Sequence, residues 1–131
     1  MKKYLPIFMV VIIIIVIWLS TPAEKVRIQN NTGTVRFIYK DVSIEASLSD
    51  THANRISSML NGKKVYADKS LSCPFWDDIC FIIDGQTFCI ATDSCPIIYI
   101  PEKEKYLYLD NTENKILRDI LISYGFQFPC I

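Results

Sequence analysis

Hydrophobic residues fill the stretch from Leu5 to Leu19 without interruption, and Lys2 and Lys3 come shortly before it. A basic start followed by an apolar run and small residues is typical of a segment that enters a membrane with its lysines on the cytoplasmic side. We therefore predict an N-terminal apolar helix, a signal peptide or a membrane anchor, within residues 1–23. Residues 24–131 then form a single extracytoplasmic domain.

The length of this segment leaves open whether it is cleaved. Its apolar core is shorter than the about 20 residues of a transmembrane helix and matches the about 7 to 15 of a signal peptide, which favours cleavage. Trp18 lies where an interfacial anchor would lie, which favours retention. A cut after Ala23 would also place Thr21 at the third position before it, an imperfect match to the small-residue rule. An uncleaved segment would make the membrane a partner of the protein.

Apolar and polar residues alternate in the next part of the chain, which is the pattern of half-buried strands. The apolar positions are Val26 and Ile28, then Val35, Phe37 and Tyr39, and then Val42, Ile44, Ala46 and Leu48. Asn30 to Gly33 supplies a turn between the first two groups. The phase of the alternation slips at Lys40-Asp41, which predicts a bulge or a second turn there.

Two amphipathic helices are predicted, one before and one after a long β-rich region. The first is capped by Ser49 or Asp50 and ends at Asn61-Gly62. Its buried stripe is Ala53, Ile56, Met59 and Leu60. The second begins with a capping box, Asp110 with Glu113, and ends at Gly125. Its apolar face comprises Ile116, Leu117, Ile120, Leu121 and Tyr124.

Four β-rich stretches lie between the helices. They are Asp78 to Asp84, Gln86 to Ala91, Pro96 to Ile100 and Lys105 to Leu109. Short connections such as Asp84-Gly85 join them, and short connections imply antiparallel neighbours. The predicted fold class is therefore α+β, an antiparallel β-meander packed against two helices.

The charge of the chain is balanced overall, with 14 basic and 14 acidic residues. The half up to Lys69 is richer in basic residues and the half from Ser70 onward is richer in acidic ones. Neither half resembles the basic stripe of a nucleic-acid binder, so no nucleic-acid partner is predicted.

The position of the Asp84-Gly85 turn makes two of the five cysteines neighbours. A two-residue turn there places Cys80 opposite Cys89 in a pair without backbone hydrogen bonds, with Cα atoms about 4.5 Å apart. That distance is just within reach of a disulfide, which would be strained. An extracytoplasmic compartment permits such bonds, so we predict a Cys80–Cys89 disulfide.

A second disulfide, Cys73–Cys95, follows from the direction of the strands. Cys73 precedes the first strand of the meander and Cys95 follows the second, so both lie at the same end of the sheet. Cys130 emerges at the opposite end unless the tail from Phe126 turns back, and it is predicted to be a free or tail thiol. Spacing alone does not choose among the connectivities that five cysteines allow.

Three short motifs carry a resemblance. They are Ser72-Cys73-Pro74-Phe75, Ala91-Thr92-Asp93-Ser94-Cys95-Pro96 and Tyr124-Gly125-Phe126-Gln127-Phe128-Pro129-Cys130. Together they resemble the tail region of small uncharacterised cysteine-containing secreted or membrane-anchored proteins of Gram-positive bacteria. The resemblance implies a single small domain outside the cytoplasm and no known activity. It also implies that Cys80 is the spare cysteine and that Cys89 has another partner, in conflict with the hairpin register.

No catalytic group is predicted. His52, the one histidine, lies in the first turn of the first helix and is interpreted as an exposed polar residue. Asp77 and Asp78 are adjacent in an extended segment, so their carboxylates point to opposite sides and do not form an acid–base pair. The cysteine spacing matches neither a redox motif nor a zinc knuckle, so no metal site and no cofactor are predicted.

The segment around Phe75, Trp76, Asp77 and Asp78 is the predicted binding site. An exposed aromatic tip held beside a disulfide is a suitable contact surface for a protein, a peptide or an envelope component. A core role for these aromatics is the competing interpretation. We therefore predict a non-catalytic binding or inhibitory module, not an enzyme. The alternative is a thiol-redox or metal-binding protein that uses the surplus cysteine.

Overall fold

The computed structural model of the protein describes residues 3–20, 23–67 and 75–128, without the side chains of Tyr39 and of residues 75–78. Helices and antiparallel strands are both present, which confirms the predicted α+β class. In chain order the elements are α1 (Leu5–Leu19), β1 (Gly33–Tyr39), β2 (Val42–Ser47), α2 (Asp50–Leu60), β3 (Phe75–Ile83), β4 (Gln86–Ala91), β5 (Ile97–Ile100), β6 (Lys105–Tyr108) and α3 (Asn111–Ser123).

The six strands form one antiparallel sheet in the order β2-β1-β3-β4-β5-β6. From β3 to β6 each strand pairs with the next, as the predicted meander requires. Strands β1 and β2 form a hairpin whose turn residues, Lys40 and Asp41, have positive φ angles of 49° and 63°. The phase slip in the sequence therefore marks a turn and not a bulge.

The connection from β2 to β3 lies outside the predicted meander, and β3 pairs with β1 and not with β2. Strand β1 is therefore internal and β2 lies at the edge of the sheet. Burial gives the physical reason, since Val35 and Phe37 of β1 are fully buried whereas Ile44 and Ala46 of β2 are only partly buried. The connection through α2 carries the chain from one side of β1 to the other.

The predicted strand at Val26 and Ile28 is wrong. This segment pairs instead with the loop after α2: the Val26 amide donates to the Lys63 carbonyl at 2.9 Å, and the Gly62 amide donates to the Val26 carbonyl at 2.8 Å. The Ile28 amide donates to Asn61 Oδ1 at 3.0 Å. Both apolar side chains are buried. The alternation therefore reflects the burial of every second side chain in a segment that is not a strand of the sheet.

One hydrophobic core lies between one face of the sheet and the helices α2 and α3. Ser49 caps α2, because its side chain accepts a hydrogen bond from the His52 amide at 3.2 Å. Asp110 and Glu113 form the capping box of α3, each side chain accepting from the other residue's amide. Both predicted helix starts are confirmed. The largest fully buried side chains are Phe37, Phe81, Phe88, Ile56, Leu60, Ile79, Ile83, Ile90, Ile98, Ile100, Leu107 and Leu117.

The predicted apolar helix is confirmed as α1, and none of its residues is buried. Its large apolar side chains are between 42% and 84% exposed. In the described part of the chain, no helix combines the length and the apolar character needed to cross a membrane.

Candidate functional site

The sheet turns one face away from α2 and α3, and we call this the second face. Alternation along β3 directs Ile79 and Phe81 into the core, so Cys80 between them points to the second face. One row of side chains crosses the second face, each opposite the next on the neighbouring strand. From β1 to β6 the row is Arg36, Cys80, Cys89, Tyr99 and Tyr106.

The hairpin register predicted for the two cysteines of this row is confirmed, because Cys80 lies opposite Cys89. Both residues are fully buried. Their Sγ atoms are 2.8 Å apart, within hydrogen-bond distance. The predicted bond between them stays a prediction, but the geometry brings the two sulfur atoms together.

Arg36 lies on the other side of Cys80 from Cys89. Its Nη2 atom is 4.0 Å from Cys80 Sγ. On the far side of Arg36, Glu45 of the edge strand β2 lies opposite it in register. The sulfur pair therefore lies between the guanidinium group of Arg36 on one side and Tyr99 on the other.

Four tyrosines form a cluster at the β6 end of the second face, which we call the tyrosine cluster. The rings of Tyr99 and Tyr106 lie 5.0 Å apart and those of Tyr66 and Tyr108 lie 5.4 Å apart. The Tyr66 backbone extends the sheet beyond β6 through two hydrogen bonds with Tyr106, of 2.7 and 2.8 Å. Tyr66 and Tyr108 are 44% and 42% exposed, so the outer part of the cluster is open to solvent.

The sequence predictions did not include this cluster. Tyr106 and Tyr108 are separated by one residue within a strand, which places both on one face, and that signal was available from the sequence. The contribution of Tyr66 depends on a pairing across 40 residues of chain, which no local pattern indicates.

The predicted binding segment, Phe75 to Asp78, lies at the start of β3. Phe75 is in register with Ala91 and Cys80 with Cys89, so five residue steps on β3 face only two on β4. The strand therefore carries three additional residues here, an irregularity that bends a strand and redirects its side chains. The side chains of Phe75, Trp76, Asp77 and Asp78 lie outside the described part of the structure.

The register places Phe75 of this segment and Tyr108 of the tyrosine cluster in one row across the sheet. Ala91, the partner of Phe75, is one residue beyond the Ile90–Ile98 pair, and Ile97 in turn lies opposite Tyr108. Three strand spacings of about 4.8 Å separate β3 from β6, so the start of β3 and Tyr108 are roughly 15 Å apart across the sheet.

Of the cysteines in the second predicted bridge, Cys95 lies in the loop between β4 and β5, where its amide donates to Asp93 Oδ1 at 2.9 Å. Cys95 is disulfide-bonded. Its predicted partner Cys73 and the tail residue Cys130 lie outside the described residues, so the predicted Cys73–Cys95 pairing stays a prediction.

Arg118 of α3 holds this loop against the helix. Its guanidinium donates to the Asp93 carbonyl and lies over the Phe128 ring, 4.5 Å from the centroid. Burial lowers the pKa of Arg118, and the nearby carboxylate of Asp93 acts in the opposite direction. The loop that carries Cys95 is thus fixed to the core by a charged hydrogen bond.

A cleft of about 620 Å³ lies between the first residues of the domain and the turn from β5 to β6. It is lined by Ala23, Glu24, Lys25, Val26, Arg27, Asn61, Gly62 and Lys103. Glu24 forms ion pairs with Lys105 and Lys103, and these two hydrogen bonds lower the pKa of its carboxyl group. The Glu24 carboxylate therefore connects the start of the domain to the β5–β6 turn through two ion pairs.

His52 is engaged in a structural contact. Its Nδ1 atom lies 3.0 Å from the Tyr124 hydroxyl, which also accepts a hydrogen bond from the Ser49 amide at 2.8 Å. This contact joins the start of α2 to the end of α3. Within the described residues there is no group of three or more metal-ligating side chains.

Comparison with known proteins identifies no matching family, no similar curated protein and no similar solved structure. The resemblance noted from the sequence therefore stays a hypothesis.

Proposed function

We propose that the protein is a non-catalytic binding module that acts outside the cytoplasm, with a recognition surface formed by the tyrosine cluster and the start of β3. Its ligand class is a protein, a peptide or another component of the cell envelope. The observation that carries the proposal is the tyrosine cluster, which joins two half-exposed rings to two more on the same face.

Tyrosine clusters of this kind suit recognition. A tyrosine ring supplies a large contact area with few rotatable bonds, and its hydroxyl group offers a hydrogen bond, so tyrosine is enriched in binding surfaces. Tyr66 and Tyr108 contact each other edge to face, which restrains both rings before a ligand arrives. Binding then costs less conformational entropy than it would with mobile side chains.

The start of β3 extends this surface. Its three additional residues interrupt the regular pairing with β4 at the segment that contains Trp76, Asp77 and Asp78. Such irregularities are common beside functional sites, because they redirect side chains away from the pleated pattern. The backbone of this segment and the tyrosine cluster lie roughly 15 Å apart, and the proposed surface is four strands wide.

The location outside the cytoplasm rests on the N-terminal segment. Lys2 and Lys3 precede an apolar helix whose side chains are exposed to solvent. A helix that is hydrophobic on all sides requires an apolar environment, and a membrane supplies one during export of the chain or afterwards. The lysines favour the cytoplasmic side, so the domain that follows α1 lies on the other side.

Photo-crosslinking tests the recognition surface without knowledge of the ligand. A photoreactive phenylalanine derivative is placed at Tyr108 in the full chain, and the matched control carries it at Ile122 of α3, which is 54% exposed. We expect irradiated cells to yield one dominant adduct from position 108, suppressed by an excess of unlabelled protein. Adducts of equal yield at both positions, or none at position 108, would contradict the proposal.

A further inference from the structure

The sulfur pair in the second face offers chemistry that the binding function does not use. Cys80 and Cys89 face each other on the two central strands, with Sγ atoms 2.8 Å apart and no solvent exposure. A disulfide bond is about 2.05 Å long, so the two sulfur atoms need to approach by only about 0.8 Å to form one. The strand register places both side chains opposite each other on the same face of the sheet.

We propose that Cys80 and Cys89 form a two-electron redox site that exchanges with a small-molecule disulfide of the glutathione class. In the first step the thiolate of one cysteine attacks the small disulfide, which forms a mixed disulfide and releases one thiol. In the second step the other cysteine attacks the mixed disulfide and releases the second thiol. The two cysteines lose two electrons and two protons in total, and the small disulfide gains them.

The geometry determines which of the two steps is slow. Both sulfur atoms are fully buried, so the attack on an external disulfide requires a local opening of the structure around them. The second step joins atoms that are already neighbours. The effective concentration of the attacking thiol is therefore very high. We expect the mixed disulfide not to accumulate in the wild-type protein.

Arg36 is a positioning residue for this site. Its guanidinium lies 4.0 Å from Cys80 Sγ, and a neighbouring cation stabilises the thiolate, which is the nucleophile of disulfide exchange. Glu45 lies opposite Arg36 on β2, and its negative charge opposes this effect. The arrangement favours Cys80 as the attacking residue and Cys89 as the residue that resolves the mixed disulfide.

The sequence allows the state of each cysteine to be read separately. Cleavage before aspartate places the five cysteines in five different peptides, with Cys80 in residues 78–83 and Cys89 in residues 84–92. The full-length protein is equilibrated with mixtures of reduced and oxidised glutathione, trapped with acid and a thiol-alkylating reagent, and mapped without reduction. We expect one reversible transition that joins these two peptides and is undone by excess reduced glutathione.

Two variants separate the steps. Cys89→Ser leaves Cys80 without its resolving partner, so a glutathione adduct on residues 78–83 should accumulate. Arg36→Gln should leave the joined product intact at equilibrium but slow its formation at least several-fold at neutral pH, with a smaller difference at high pH, where the thiolate forms without help.

Three results would overturn the proposal. The first is a pair that stays reduced in pure oxidised glutathione, and the second is a joined product that excess reduced glutathione does not open. The third is a map in which Cys80 or Cys89 is joined to another cysteine. None of these results affects the proposed recognition surface, which the crosslinking experiment tests without reference to the cysteines.

Discussion

Replacement of Phe81 by alanine is expected to lower the free energy of unfolding by about 3 to 5 kcal/mol, the range found for large aromatic residues in cores. Phe81 is fully buried in β3, between Val35 of β1 and Phe88 of β4 in register. Its removal leaves a cavity that rigid neighbouring strands cannot close.

Urea unfolding of the purified protein measures this loss. The control is Ile38→Ala, which removes an apolar side chain from a neighbouring strand where it is 43% exposed. The control should destabilise the protein clearly less than Phe81→Ala, since a large part of its surface stays in water on folding. If Phe81→Ala is no more destabilising than the control, the assigned core is wrong.

Replacement of Gly33 by alanine is expected to destabilise the sheet by overpacking, typically by about 1 to 3 kcal/mol and occasionally more. A Cβ atom at this position would lie 2.3 Å from the Ile82 carbonyl oxygen and 2.8 Å from Ile83 Cγ1. The first of these atoms belongs to the backbone, so it cannot rotate away. The neighbouring strands β1 and β3 would have to move apart at Gly33.

The matched control is Ser47→Ala on the edge strand β2, where the side chain is exposed. It should shift the midpoint of urea unfolding only slightly, because surface substitutions in strands usually change stability by less than about 0.5 kcal/mol. A Gly33→Ala protein with the wild-type midpoint would show that β1 and β3 are not in the close contact described.

The local features of this fold could be predicted from the sequence. The Asp84-Gly85 turn determined the register of the β3–β4 hairpin, because a two-residue turn leaves no freedom in the pairing, and this placed Cys80 opposite Cys89. The capping box at Asp110 likewise determined the start of α3. In each case a few adjacent residues carry the physical cause.

The order of the strands could not be predicted in the same way. Whether β3 pairs with β1 or β2 depends on which strand buries more apolar surface, and both alternate in the same manner. The Val26–Ile28 segment shows the same limit, since its alternation arises from packing beneath the loop after α2. An alternating pattern indicates that one side of a segment is buried. It does not identify which strand or loop pairs with that segment.

The candidate site was predicted in part for the same reason. The segment at Trp76 was recognisable from its composition, and the facing cysteines from the turn. The tyrosine cluster required knowledge of which residues extend the sheet beyond β6, and Tyr66 reaches Tyr106 only through a long-range bridge. The sequence thus indicated the Trp76 segment of the proposed recognition surface, whereas the tyrosine cluster became visible only in the fold.

The most direct test of the recognition surface is Trp76→Ala, measured both for thermal melting and for crosslinking from position 108. Truncation of a binding anchor weakens a complex by about 2 kcal/mol or more, roughly thirty-fold in affinity, and leaves folding intact. Truncation of a core aromatic instead costs about 3 to 5 kcal/mol of folding stability. We predict wild-type melting and loss of the adduct. A melting temperature far below that of the wild type, or an undiminished adduct, would contradict the proposed function.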